Sequence, residues 1–321
     1  MNKRQLPAKV NWKRTSPLRC IQSRSWWGLK RRAFVDVALT RALIETLGDA
    51  DILRFDESLD PTSVLIDRRR RRVHRVPVPD SNANLILKYE FFPFPNWIFT
   101  LPRSPIGVRE MKNLRIVSAL GVRSFTPVLS GDVSWGPFFL RSFIATEEIP
   151  HGCGLTAWLR DSNKCWREAF PSPELRDALP ELVTALATLH RNGFYCRTPV
   201  AKNVYMSRDK GDNIRFFIHD LPRPLYRPGR SLSVRCASRD LARMDKWAAH
   251  WLTKRERVKL LRHYLSELLE EETIDRARLL AWVRWLTHHR RVLHRRTFIS
   301  WATHWVRRRS KQMPFFGKWW R

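Results

Sequence analysis

The sequence predicts an α+β chain of two lobes, a small strand-rich one followed by a helical one. Three observations carry that prediction. Short strand-like runs recur between Ser63 and Ile149, with one helical stripe among them. From Gly154 onward the apolar spacing turns helical. The length of 321 residues, 43% of them hydrophobic, is long for one core and suits two lobes sharing a cleft.

Taken in order, residues 1–33 are basic with little apolar periodicity and read as an extension. They lack the apolar core of a secretion signal. They are Arg-rich and acid-free up to Asp36, which leaves an organelle transit peptide open, although the Trp26-Trp27 pair and mixed pattern fit one poorly. Residues 34–150 form the expected small lobe with a preceding helix, the latter over 34–50 with Val37, Leu39, Leu43, Ile44 and Leu47 at helical spacing. Three strands follow, at Ser63–Ile66, Val73–Val78 and Leu85–Tyr89, separated by Asp67–Arg72 and the turn-rich Pro79–Asn84. Residues 108–120 read as a helix with Met111, Leu114, Val117 and Leu120 on one stripe, and Gly121 is placed to cap it. Two more strands are expected around Pro127–Leu129 and from Phe138 to Ile149.

Residues 151–275 form the expected large lobe, with helices over Leu155–Leu159, Leu175–Arg191 and Asp240–Leu269. Residues 276–321 hold thirteen Lys or Arg and six Trp and no acid. There Trp282, Trp285, Phe298, Trp301 and Trp305 recur at near-helical steps beside Arg290, Arg291, Arg295 and Arg296. Such a face suits an interfacial helix on an anionic bilayer, and packing of the aromatics on the large lobe is the plainer alternative.

Charge narrows the partners. Lys and Arg total 60 against 30 Asp and Glu, a formal +30, which repels itself unless the partner is anionic. An anionic membrane surface or glycolipid fits. A nucleic acid is the third reading, disfavoured because no recognised binding motif accompanies the basic stretches. Five scattered cysteines without metal-type spacing read as reduced thiols of a cytosolic protein. No stretch reaches the roughly 20 apolar residues needed to span a bilayer.

Three strands, a helix and two strands is the layout of the small lobe of a protein kinase. The chain also carries the residue types that phosphoryl transfer needs. Lys88 ends the third strand, where a lysine grips phosphates, and Glu110 opens the next helix, where a glutamate holds that lysine. Leu189 to Met206 has the frame of a catalytic loop between helix and strand, and Phe216-Phe217-Ile218-His219-Asp220 is an apolar strand ending in a carboxylate. Each residue has a plainer reading. Lys88 could be solvated, Glu110 a first-turn acid favoured by the helix dipole, Asn203 a turn residue and Asp220 a cap. Their joint spacing favours the functional one. His190, Cys196 and Asp240 read as structural, and Arg68–Arg72 with Arg75 as either a solvated hairpin or an anion contact.

From about Ser63 to Leu265 the sequence resembles the bacterial lipopolysaccharide core kinases that phosphorylate Kdo or heptose. The resemblance rests on Leu87-Lys88, Arg109-Glu110-Met111-Lys112-Asn113-Leu114, Leu120-Gly121-Val122, the catalytic-loop frame, Ile218-His219-Asp220-Leu221-Pro222-Arg223, Ser238 to Met244, and Arg257 to Leu265. It implies a protein-kinase-like fold, ATP with magnesium, a sugar hydroxyl as acceptor, and a place at the inner face of the bacterial cytoplasmic membrane. It assigns Lys88 and Glu110 to the nucleotide, Asn203 and Asp220 to the metal, and Arg197 and Thr198 to the catalytic loop.

Two departures stand out. Cys196-Arg197-Thr198 replaces His-Arg-Asp, so the usual base is a threonine. The stretch Ser63–Asn84 contains no glycine, whereas a phosphate-covering loop uses glycines to bring its amides close. An active kinase and a catalytically inactive pseudokinase that binds nucleotide or a partner therefore both remain open.

Overall fold

A computed structural model describes residues 18–24, 29–36, 64–68, 70–78, 83–92, 104–161, 172–199, 201–221, 223–230 and 232–269. The expected helix over 37–50 and the basic Trp-rich segment 276–321 lie outside the described residues.

The first half builds one antiparallel sheet. Its strands are β1 (Leu18–Arg24), β2 (Leu29–Asp36), β3 (Val64–Arg68), β4 (Arg71–Pro77), β5 (Asn84–Phe91), β6 (Pro127–Trp135) and β7 (Phe138–Glu147), in spatial order β1-β2-β6-β7-β5-β4-β3. Strands β3 to β7 fall on the five predicted runs. Strands β1 and β2 lie within or across the stretch expected to be a basic extension, and residues 34–36, expected to open a helix, end β2. β1 pairs with β2, and the other neighbour of β2 is distant in sequence: Ala33 pairs with Gly131 and Val35 with Leu129. Among the residues of the two strands whose burial is described, the buried apolar ones are Ile21, Ala33 and Val35, and the intervening Lys30, Arg31 and Arg32 mask the alternation.

Helix α1 (Ile106–Ala119) lies on one face of this sheet. Its buried residues include Met111, Leu114 and Val117 of the predicted stripe, whose fourth member Leu120 is partly buried at the C-cap, and Gly121 follows at φ +77°, a conformation that favours glycine. Gly107 fixes how closely the helix sits. A Cβ there would stand 2.0 Å from the Phe143 carbonyl oxygen, and the Gly107 amide donates to Ser142 Oγ at 2.8 Å.

The second half is mainly helical. After β8 (Cys153–Gly154) come α2 (Leu155–Asp161) and α3 (Pro173–Arg191). Ser172 caps α3 through its hydroxyl, and Pro173 occupies the first turn. Then follow β9 (Phe194–Tyr195), a 3-10 turn (Ala201–Asn203), β10 (Val204–Arg208), β11 (Ile214–Ile218) and β12 (Leu225–Tyr226). The helix expected over Asp240–Leu269 is two helices, α4 (Val234–Ala248) and α5 (Lys254–Leu269). The break is set by Thr253 and Glu256. The Glu256 carboxylate accepts from the Thr253 amide at 2.7 Å, and the Glu256 amide donates to the Thr253 hydroxyl at 3.3 Å, which starts α5 afresh.

One apolar cluster joins the halves. Met111, Leu114 and Val117 of α1 belong with Leu189, Phe194, Tyr195, Ile218 and Tyr264. Burying each such large side chain contributes about 1.5–3 kcal/mol. The cluster therefore ties the first half's helix to the segment that carries the candidate site. No helix among the described residues is long and apolar enough to cross a membrane.

Candidate active site

Strand β5 brings Lys88 to the face on which α1 packs, and one turn into α1 stands Glu110. Lys88 Nζ donates to Glu110 Oε2 at 2.7 Å, with the two residues only 8% and 5% exposed. Asp220, just past β11, closes the set: Lys88 Nζ also donates to Asp220 Oδ1 at 2.6 Å. Lys88 and Glu110 thus face each other, as their strand and helix positions led one to expect, and Asp220 joins them at the same ammonium. Burial works against the charge on Lys88, but the two carboxylates outweigh it and raise its pKa. Burial raises the pKa of Glu110, with Lys88 opposing. For Asp220 burial acts upward too, yet Lys88 and then Arg71 hold the carboxyl below its ordinary range.

Asp220 sits at φ +56°, where aspartate is tolerated better than most residues. The chain beyond it is fixed by Asn113, whose amide donates to the Leu221 carbonyl at 2.7 Å. Asn113 lies three residues after Glu110 on the same side of α1. Sequence reasoning quoted it only as part of the resemblance, and the i, i+3 spacing was the available signal.

The catalytic-loop frame is also in place. Asn203 Nδ2 donates to the Thr198 carbonyl at 2.9 Å, so the five-residue spacing closes a compact loop. This bond leaves the Asn203 amide oxygen as an acceptor. The His219 amide donates to the Asn203 carbonyl at 3.1 Å, which sets Asn203 beside the residue preceding Asp220. Thr198 and Arg197 are exposed, and Arg197 holds φ +63°. That conformation costs a non-glycine residue of order 1 kcal/mol. Its amide is anchored by donating to Asp240 Oδ2 at 3.2 Å.

Asp240 is 1% exposed and at the centre of a buried network. His190 Nε2 lies 3.4 Å from the same Asp240 oxygen, and His190 Nδ1 lies 2.6 Å from the Tyr264 hydroxyl. Since a carboxylate only accepts, the bond to Asp240 is donated by Nε2–H. His190 and Asp240 are therefore structural, as the sequence suggested. Cys196 is buried, and burial followed by the nearby Asp240 pushes its thiol well up, so it is inert at neutral pH. His219 is a residue that sequence reasoning missed. Burial lowers its pKa to about 4, it stacks on Phe125 at 5.0 Å between ring centroids, and its Nε2 finds no partner among the described residues.

A divalent hard cation with a polyphosphate suits these groups. Asp220 and the Asn203 amide oxygen are the oxygen donors that magnesium takes when phosphates supply the rest. Lys88 is a cation held by carboxylates on two sides. What the loop lacks is a carboxylate at 198 that could accept a proton.

A two-lobed layout with this lysine, glutamate and strand-end aspartate defines the protein-kinase-like fold. Residues 95–264 match the model of the Lipopolysaccharide kinase (Kdo/WaaP) family, more than half of the chain. The chain belongs to that family. It is similar to the lipopolysaccharide core heptose(I) kinase WaaP of Pseudomonas aeruginosa, at 32% identity over 184 residues. That alignment covers 56% of this chain and 66% of the relative, just under two thirds of its length. Among solved structures, WaaP in complex with acyl carrier protein superposes with a TM-score of 0.55 at 24% identity. The match covers 82% of this chain and 99% of that one, a likeness of fold.

Proposed function

We propose that the protein transfers a phosphoryl group from ATP to a sugar hydroxyl of a membrane glycolipid, through a catalytic loop that lacks its proton acceptor. The single observation that carries this reading is the meeting of Lys88, Glu110 and Asp220 at one point in a chain of this family. Lys88 orients the phosphates, and Glu110 holds Lys88. Asp220 and Asn203 would hold magnesium. When bound, ATP with its magnesium supplies the transferable phosphoryl group and neutralises charge developing on its oxygens. Arg197 and Thr198 line the position from which the acceptor hydroxyl approaches. Thr198 cannot take up the hydroxyl proton as a carboxylate would, so the step relies on alignment and charge and is slow.

The formal charge of +30 supports work at an anionic surface, the inner face of the bacterial cytoplasmic membrane, where a lipid-linked acceptor would be met. An acyl carrier protein, the partner of the structural relative, is a further candidate for that basic surface. The second reading is a pseudokinase that binds nucleotide or a partner without turnover. Thr198 and the glycine-free stretch before Lys88 favour it.

The experiment is magnesium-dependent ATP binding by the full chain, followed by phosphate transfer to lipopolysaccharide core glycolipid. Wild type should bind MgATP, and Lys88→Met should weaken binding at least about tenfold, the cost of losing one charge-assisted contact. Absence of MgATP binding by wild type would end the kinase reading. Binding without any transfer would select the pseudokinase.

A further inference from the structure

A kinase cleft must cover the nucleotide phosphates, yet between Ser63 and Asn84 no glycine lets backbone amides close on them. The hairpin β3–β4 offers something different. Arg68 pairs with Arg71, Arg71 with Glu90 on β5, and Val73 with Lys88. Directly paired residues point to one face, and so do alternate residues along a strand. Arg71, Val73 and Lys88 therefore share the face that meets Asp220.

The distances agree. Arg71 Nη1 lies 4.0 Å from Asp220 Oδ2, while Lys88 holds the other oxygen at 2.6 Å. Four ångströms is an ion-pair distance, too long for a hydrogen bond. Arg71 Nε is buried and has no hydrogen-bond partner among the described residues, yet the side chain keeps 38% of its exposure. Its guanidinium is thus aimed at the cleft and only loosely engaged there. Arg72 differs. It points to the opposite face, where it donates to Asp67 at 3.1 Å and lies over the Phe91 ring at 5.6 Å.

We propose that Arg71 is the polyphosphate clamp of this cleft, a guanidinium on β4 that takes over the phosphate-gripping task of a glycine-rich loop. With Asp220 turned to a metal ion, Arg71 offers two N–H edges to non-bridging phosphate oxygens, a geometry suited to bidentate contact. Lys88 grips from the neighbouring strand. The ligand class is a nucleoside di- or triphosphate, and the inference rests on the reading of this cleft as a nucleotide site.

The test compares magnesium-dependent binding of ATP, ADP and AMP by the full chain and by Arg71→Ala, Arg71→Lys, Arg72→Ala and Lys88→Met. Arg71→Ala should weaken ATP roughly 10- to 100-fold, the range for losing a charge-assisted pair of contacts, and leave AMP within about twofold. Arg71→Lys should recover only part of the loss, and Arg72→Ala should match wild type. Circular dichroism and a thermal melt check that each variant is folded. If Lys88→Met loses ATP while Arg71→Ala keeps it, the clamp is refuted and the nucleotide site stands. If Arg71→Ala weakens AMP as much as ATP, Arg71 serves the fold rather than the phosphates. If wild type binds none of the three, the nucleotide reading itself falls and takes the clamp with it.

Discussion

The two sides of the candidate cleft differ in what they retain. On one side the buried Lys88 and Glu110 and the partly buried Asp220 form a hydrogen-bonded set. On the other, the loop from Cys196 to Asn203 keeps its scaffold but carries a threonine at the position of the base. That scaffold includes the strained Arg197 and the buried network of Asp240, His190 and Tyr264. Loop shape and proton acceptance are thus separable properties, the first held from beneath by Asp240 and the second resting on a single side chain.

That contrast can be broken most sharply at Thr198. Restoring the carboxylate with Thr198→Asp should raise phosphotransfer by about 10²–10⁴-fold, the usual worth of a positioned general base. Single-turnover assays on lipopolysaccharide core would read this directly. A brisk wild type that Thr198→Asp slows would mean another group orients the hydroxyl. The next largest effect is expected at Asp240. Its replacement by alanine strips the Arg197 amide and His190 of their buried acceptor and should cost about 2–4 kcal/mol of stability. A urea midpoint unmoved by Asp240→Ala would show that the loop is held elsewhere.

A smaller and pH-dependent effect is expected at His219, which joins the two sides through its amide to Asn203 and its neighbour Asp220. The folded ring stays neutral down to about pH 4, whereas the unfolded chain takes up a proton near the ordinary 6.5. Its contribution is therefore complete above about pH 7 and is lost as the pH falls toward 4, by up to about 3 kcal/mol across that window. Asp220, with its pKa lowered, loses its contribution only on further acidification, below the ordinary carboxylate range. Urea titrations of wild type and His219→Phe between pH 7 and pH 4 separate the two. Equal slopes would remove His219 from the account.

The sequence made part of this legible. Strands β3 to β7 and helix α1 follow from local alternation and a 3.6-residue stripe, and each of Lys88, Glu110 and Asp220 falls at the end or start of one of those runs or of β11. Local pattern could not find β1 and β2. The strand that joins β2 to the rest of the sheet, β6, lies about a hundred residues on, as the Arg32–Asp132 ion pair at 3.0 Å records, and the run Lys30-Arg31-Arg32 interrupts the apolar pattern of β2. The break between α4 and α5 was written as Thr253 to Glu256, a capping box hidden inside a continuous helical stripe. Arg71 was one of five consecutive arginines, and only strand register tells which of them faces the cleft. His219 carries no signal of its own in the run from the apolar strand to its carboxylate, and its ring packing on Phe125 is a tertiary contact.

Helix α1 is pinned at its start, where the Gly107 amide meets Ser142 and no side chain intervenes. With a rise of 1.5 Å per residue, Glu110 stands about 4.5 Å and Asn113 about 9 Å along the axis from that pin. The helix is thus a lever with its fulcrum at Gly107 and two loads on one arm. Any tilt about the fulcrum carries Asn113, and with it the Leu221 carbonyl behind Asp220, about twice as far as it carries the partner of Lys88. Movement of this helix would slacken the aspartate's anchorage first and the lysine's grip second, so the two halves of the site are geared to one another at unequal ratio.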